Sequence, residues 1–146
     1  MYYFAYGSNL NEPWFTSLTN GMAKPIGKAK LNGYKLAFRR YLDIDHADGS
    51  IEVGVWEIPS VLNIKDKAVL ALARIDAYEG YPELYDRYKV KATLENGQEI
   101  EGIIYEMVNE QKRLLDGIKP SESYVLTCKN GYDFFKISYH QMLEAL

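Results

Sequence analysis

Residues Tyr2 to Tyr6 read YYFAY, an apolar and aromatic run with no polar alternation. A strand with one face in water alternates polar and apolar side chains, whereas one that does not is covered on both faces. The run therefore predicts a central strand with other elements packed on either side. It stops at Gly7-Ser8-Asn9, three small residues without a neighbouring charge. With 146 residues, of which 47% are apolar and 25% charged, the chain has enough material for one domain, residues 1–146, around such a strand.

Further along, Ala23–Leu31 and Tyr34–Tyr41 have strand composition and flank Asn32-Gly33, a dipeptide suited to a two-residue hairpin turn. Ile51–Ile58 alternates Ile51, Val53 and Val55 with Glu52, Gly54 and Trp56, until Pro59 stops it. Tyr85–Leu94 and Glu99–Met107 make two more strands across Glu95-Asn96-Gly97. Helices are predicted over Glu12–Leu18, with Pro13 in the first turn, and over Lys65–Tyr78. In the second, Ala68, Leu72 and Ile75 recur at helical spacing, Val69 and Ala73 widen the stripe, and Gly80 and Pro82 follow. A helix over Ser121–Asn130 is predicted to close at Gly131, and a last short one to start from Ser138. Hairpin-linked strands with helices between and after them predict an α+β fold, met by a small mixed or antiparallel β-barrel flanked by helices.

Lys and Arg number 17 against 20 Asp and Glu, a formal charge of −3 with no basic run. That excludes the positive field on which nucleic-acid or anionic-membrane binding rests, and points to a small-molecule partner. The one cysteine, Cys128, has no internal disulfide partner, and no Cys/His spacing suits a metal, so a reducing cytoplasm is the expected location. No apolar stretch approaches the ~18 residues of a membrane span. Thirteen tyrosines predict a pocket lined with them.

Two features carry chemistry. The Gly7–Leu10 turn either points successive N–H groups into one concavity, a nest that binds an anion without a charged side chain, or is an ordinary tight turn. Glu79 lies four residues beyond Ile75, so it either extends the apolar face inward or sits in a solvated loop after an earlier helix end. Aimed inward, burial would raise its pKa toward that of a general base working near neutrality. Asp76 is the competing carboxylate, nearer the edge of the stripe. His46 and His140 read as surface or hydrogen-bonding residues and Cys128 as a packed apolar one. Arg39-Arg40, at the end of a strand, either attracts a carboxylate or, the simpler reading, is a solvated strand end. Ser8 lacks the GxSxG surroundings of a serine nucleophile.

YFAYGSNL, the strand VGVWEI, Glu79-Gly80 after a helix, a tyrosine before the next strand and PSESY follow one another in an order that resembles the γ-glutamylcyclotransferase-like superfamily. The resemblance is to the branch holding γ-glutamylcyclotransferase, γ-glutamylamine cyclotransferase and the plant AIG2-like proteins, and it spans essentially the whole chain. It implies a small barrel flanked by helices, without cofactor or metal. It also implies a reaction in which the α-amine of a γ-glutamyl compound attacks the γ-carbonyl, giving 5-oxoproline and the free amine or amino acid. On this resemblance Tyr6, Gly7, Ser8, Asn9 and Leu10 form the substrate loop, Glu79 is the general acid/base, and Tyr85 and Tyr124 line the pocket. A non-catalytic small-molecule binding domain of the same fold is the rival expectation.

Overall fold

The computed structural model describes residues 1–59 and 67–146, with the backbone alone at 67–69. In chain order the elements are β1 (Tyr2–Ala5), a 3-10 turn (Ser8–Leu10), α1 (Glu12–Leu18), β2 (Lys24–Arg39), β3 (Tyr41–Glu57), α2 (Lys67–Glu79), β4 (Tyr85–Leu94), β5 (Glu99–Met107), α3 (Asn109–Leu115), α4 (Glu122–Phe135) and α5 (His140–Glu144). The strands close a barrel in the order β1-β3-β2-β4-β5. β1 runs antiparallel to β3 and parallel to β5, so the barrel is mixed, as the expected fold class has it. Tyr3, Phe4 and Ala5 are all buried, which is what a non-alternating strand requires.

The predicted hairpin at Asn32-Gly33 is absent. β2 continues through it for 16 residues and pairs with the 17-residue β3 on both sides, Asn32 with Ser50 and Tyr34 with His46. Gly33 supplies the positive φ of a register shift rather than of a turn, and the chain reverses at Arg40, between paired Arg39 and Tyr41. The first half of β3 escaped the pattern because its sequence, LDIDH, is polar. Asp43 is fully buried there, accepting hydrogen bonds from Met107 N at 2.9 Å and from Arg39 Nη1 at 2.7 Å. Lys112 Nζ and Arg39 Nη2 meet Asp45 at 2.7 and 2.8 Å. Arg39 is thus no solvated strand end: it neutralises carboxylates that a strand has carried inward, the condition on which buried charge is tolerated.

Lys65 and Asp66 of the predicted second helix lie outside the described residues, as do the side chains of Ala68 and Val69. The inward ridge of α2 is Ala71 and Ile75, both fully buried, with Leu72 beside them and Ala73 exposed. The expected stripe is thus kept at Leu72 and Ile75, while Ala71 and not Ala73 widens it. α4 begins at the predicted cap, where Ser121 Oγ accepts from Tyr124 N, but it does not close at Gly131. It continues to Phe135 and ends at Lys136, which takes the left-handed conformation. Gly131 serves close packing instead: a Cβ there would lie 2.4 Å from Leu10 C and 2.6 Å from Asn11 N. Among the described residues no helix is long and apolar enough to cross a membrane.

Candidate active site

Glu79 is the last residue of α2, and its place is fixed by how that helix stops. Gly80, with φ +66°, follows it in the left-handed conformation. Tyr81 N then donates to Asp76 O at 2.9 Å and Gly80 N to Ala77 O at 3.3 Å, the pair of bonds that closes a helix on a glycine. Because Glu79 follows Ala71 and Ile75 at four-residue steps, its side chain continues their ridge into a cavity of about 670 Å3, counting its open mouth. The inward reading of Glu79 is the one the fold adopts.

Seven of the thirteen tyrosines, Tyr3, Tyr6, Tyr41, Tyr78, Tyr85, Tyr105 and Tyr124, line this cavity together with Phe4, Leu42 and Leu84. Its floor is the turn after β1, with Gly7, Ser8 and Asn9 on the surface of the cavity. Burial, reinforced by the nearby charge of Asp76, pushes the Glu79 carboxyl from an ordinary 4.5 up to about 8. Asp76 itself faces elsewhere: it is paired with Arg87 at 2.9 Å and accepts from Tyr105 OH at 2.6 Å, and it is not part of the cavity wall.

The turn places its residues unequally. Leu10 N donates to Gly7 O at 3.1 Å and Asn11 N to Ser8 O at 3.0 Å. The N–H groups of Gly7, Ser8 and Asn9 donate to no described residue, so these three, and not Leu10, are available to an anion. The Leu10 side chain is fully buried away from the cavity, where it anchors the turn against Gly131. Ser8 Oγ shares a hydrogen bond with Tyr78 OH at 2.8 Å. Asn9 is buried, and its side chain reaches Glu79: Nδ2 lies 3.0 Å from Glu79 Oε1.

Tyr6, Tyr85 and Tyr124 all lie on the cavity wall, but their hydroxyls are already engaged by backbone. Tyr6 OH donates to Tyr105 O at 2.6 Å and Tyr85 OH to Leu42 O at 2.8 Å. Leu42 N donates to Tyr124 OH at 3.0 Å. Tyr85 and Tyr124 thus hold one residue of the wall, Leu42, by its carbonyl and its N–H, the two peptide units that flank its Cα. Tyr85→Phe leaves the buried Leu42 carbonyl without that donor and is expected to lower stability by about 1–3 kcal/mol in a urea titration. An unchanged midpoint would show the bond to be dispensable.

Tyr41, Tyr78 and Tyr105 had no individual signal in the sequence beyond the abundance of tyrosine, because β3, β5 and the end of α2 meet here only once the barrel closes. Among the described residues no group of His, Cys, Asp and Glu has the arrangement of a metal site.

The family described as gamma-glutamyl cyclotransferase, AIG2-like, matches residues 3–126. The chain belongs to that family. A protein of Methanocaldococcus jannaschii, named provisionally as a gamma-glutamylcyclotransferase, is 33% identical over 104 residues, which are 71% of this chain and 82% of the relative. Among solved structures, one described as gamma-glutamyl cyclotransferase superposes with a TM-score of 0.80 at 24% identity, covering 100% of this chain and 87% of the other. A human protein whose structure names no activity superposes at 0.77, also at 24% identity, over 99% of this chain and 86% of its own. At these identities the superpositions establish the family's fold, a five-stranded barrel flanked by helices.

Proposed function

We propose that this family member is a cyclotransferase acting on a small γ-glutamyl compound, an amino acid or amine derivative, through Glu79 as general acid/base. The observation that carries the reading is a single carboxyl with a raised proton affinity, enclosed by tyrosines, beside a turn with three N–H groups free to receive an anion. The substrate's α-carboxylate would lie on Gly7, Ser8 and Asn9, and its chain between Tyr6, Tyr85 and Tyr124. Glu79 takes a proton from the α-ammonium, whose nitrogen then forms a bond to the γ-carbonyl carbon. The bond from that carbon to the departing nitrogen breaks as Glu79 returns the proton to it. The carboxylate so freed takes the second proton from the attacking nitrogen, leaving a neutral lactam, and passes it to the amine, which departs as an ammonium. The products are 5-oxoproline and the free amine, and no electrons are exchanged. Both reacting groups belong to one molecule, so holding them in attack geometry supplies much of the acceleration, and stiff aromatic walls suit that task. On this reading residues 1–146 act as one domain, in a reducing cytoplasm that keeps Cys128 a thiol.

Release of 5-oxoproline from γ-glutamyl amino acids, amines and lysine isopeptides tests the proposal; ligand binding without release would instead mark a binding domain. The turn makes a separate prediction. A Cβ on Gly7 would meet Tyr124 Oη at 3.1 Å and Leu42 Cβ at 3.3 Å, whereas the Ser8 hydroxyl only joins Tyr78. Gly7→Val is therefore expected to raise KM at least roughly tenfold, and Ser8→Ala to change it only a few-fold. The reverse order would mean that the Ser8 side chain, not the main chain, holds the substrate.

A further inference from the structure

We infer that Asn9 is a positioning residue for Glu79 and that Trp14 fixes the orientation in which it works. The inference rests on Glu79 being the base of the proposed reaction, and it begins with the direction of an amide. Asn9 Oδ1 lies 3.0 Å from Trp14 Nε1. An indole nitrogen only donates, so the oxygen of the amide must face Trp14 and its nitrogen must face the cavity. There Nδ2 meets both Glu79 Oε1 and Tyr3 OH at 3.0 Å. Turned over, the amide would set its NH2 against the indole N–H of Trp14 and its oxygen against the carboxylate, and the bonds to Trp14 and Glu79 would both fail.

The clamp has its own supports. Trp56 Nε1 donates to Asn9 O at 2.9 Å, which holds the backbone while Trp14 holds the side chain. Trp14 is placed by the cap of α1: Asn11 Oδ1 accepts from Trp14 N at 3.1 Å, and Asn11 Nδ2 donates to Thr127 O on α4 at 3.1 Å. The indole ring also lies 5.1 Å from that of Tyr78, next to Glu79.

The groups facing Glu79 leave this amide a distinct role. On its own helix Asp76 repels the ionised form, though Arg87 of β4 neutralises Asp76 in part. From β1 and the residue after it come Tyr3 and Tyr6, from β4 Tyr85, from β5 Tyr105 and from α4 Tyr124, with Tyr78 adjacent on α2. Burial keeps these phenols protonated. None of them hydrogen-bonds Glu79, so among the described side chains the Asn9 amide alone donates directly to its carboxylate. A donor to the charged form favours that form, so Asn9 opposes burial, holds Oε1 inside the cavity and keeps the base usable near neutral pH.

The test follows the Glu79 carboxyl by 13C NMR in ligand-free protein labelled at glutamate, with Glu79→Gln assigning the resonance. Trp14→Phe keeps an aromatic ring against Tyr78 but frees the amide, and its titration midpoint is expected to move up by on the order of one pH unit. Asn9→Ala should move it at least as far, and the double variant no further than Asn9→Ala, because Trp14 acts through Asn9. An unmoved midpoint in folded Trp14→Phe overturns the inference, as do additive shifts in the double variant. In kinetics, kcat should fall in Trp14→Phe with KM little changed, and its acid limb should move with the midpoint. Shifted midpoints without 5-oxoproline release from any substrate would reject the proposed reaction while upholding the clamp. Release with unmoved midpoints would do the opposite.

Discussion

Replacing Glu79 with glutamine will lower turnover by about 10²–10⁴-fold while leaving γ-glutamyl ligand binding close to that of the parent. Glutamine keeps the shape and can still lie against Asn9, but it cannot take the α-ammonium proton. The N–H groups of the turn, proposed to hold the α-carboxylate, are untouched, so calorimetric affinity should survive. In the parent the rate should fall as the pH drops below about 8, where the buried carboxyl takes up its proton. The same variant carries a stability signature. The folded-state pKa of Glu79 is raised, so the unfolded chain gives up its proton first, from about 4.5, while the folded one keeps it until about 8. Stability associated with the protonated form is complete below the lower value and is lost progressively across that interval. Glu79→Gln removes the loss, and should be more stable than the parent by a few kcal/mol at pH 8 and little different at pH 4. Full activity in Glu79→Gln would reject this residue as the base.

Gly131→Ala will destabilise the protein by about 2–3 kcal/mol and lower the midpoint of thermal unfolding by roughly 4–10 °C. Helix propensity alone gives the opposite sign, since alanine in a helix interior is preferred over glycine by up to about 1 kcal/mol. Packing decides it. The new methyl would lie 2.4–2.6 Å from Leu10 C, Leu10 Cβ and Asn11 N. Two of these are backbone atoms and cannot rotate aside, so the turn or α4 must move. Because the same turn presents Gly7, Ser8 and Asn9 to the cavity, ligand affinity should fall together with stability. A variant of raised stability and normal affinity would show that α4 and the turn separate freely.

Much of this arrangement was legible in the sequence where local pattern and burial agree. The unbroken YYFAY run, the paired strands around Asn96-Gly97 and the step from Ile75 to Glu79 each reflect a backbone period that burial then reinforces. Reading failed where tertiary partners reverse a local preference. Asn32-Gly33 has turn chemistry, yet β3 offers it pairing partners on both sides. LDIDH is polar, yet Arg39 and Lys112 meet its carboxylates. Gly131 looks like a helix stop because the sequence does not reveal that Leu10 will press against it. In the candidate site, single-residue features such as the Gly-Ser-Asn turn and Glu79 stood out. The amide contact from Asn9 to Glu79 did not, since it joins residues seventy positions apart.

The parallel pairing of β1 with β5 also bears on how the molecule comes into being. Tyr2 meets Gly102 and Tyr3 meets Ile103, so the first strand cannot finish its ladder until about a hundred residues have been made and folded. Long-range closure of this kind is slow, because loop entropy is lost before the contacts form. The turn that follows β1 and the end of α2 face each other only in the closed barrel. A nascent or partly unfolded chain therefore has a glutamate and a glycine turn but no binding site. A ligand that bridges them should select the fully closed state alone, slowing global unfolding without protecting any half-built intermediate.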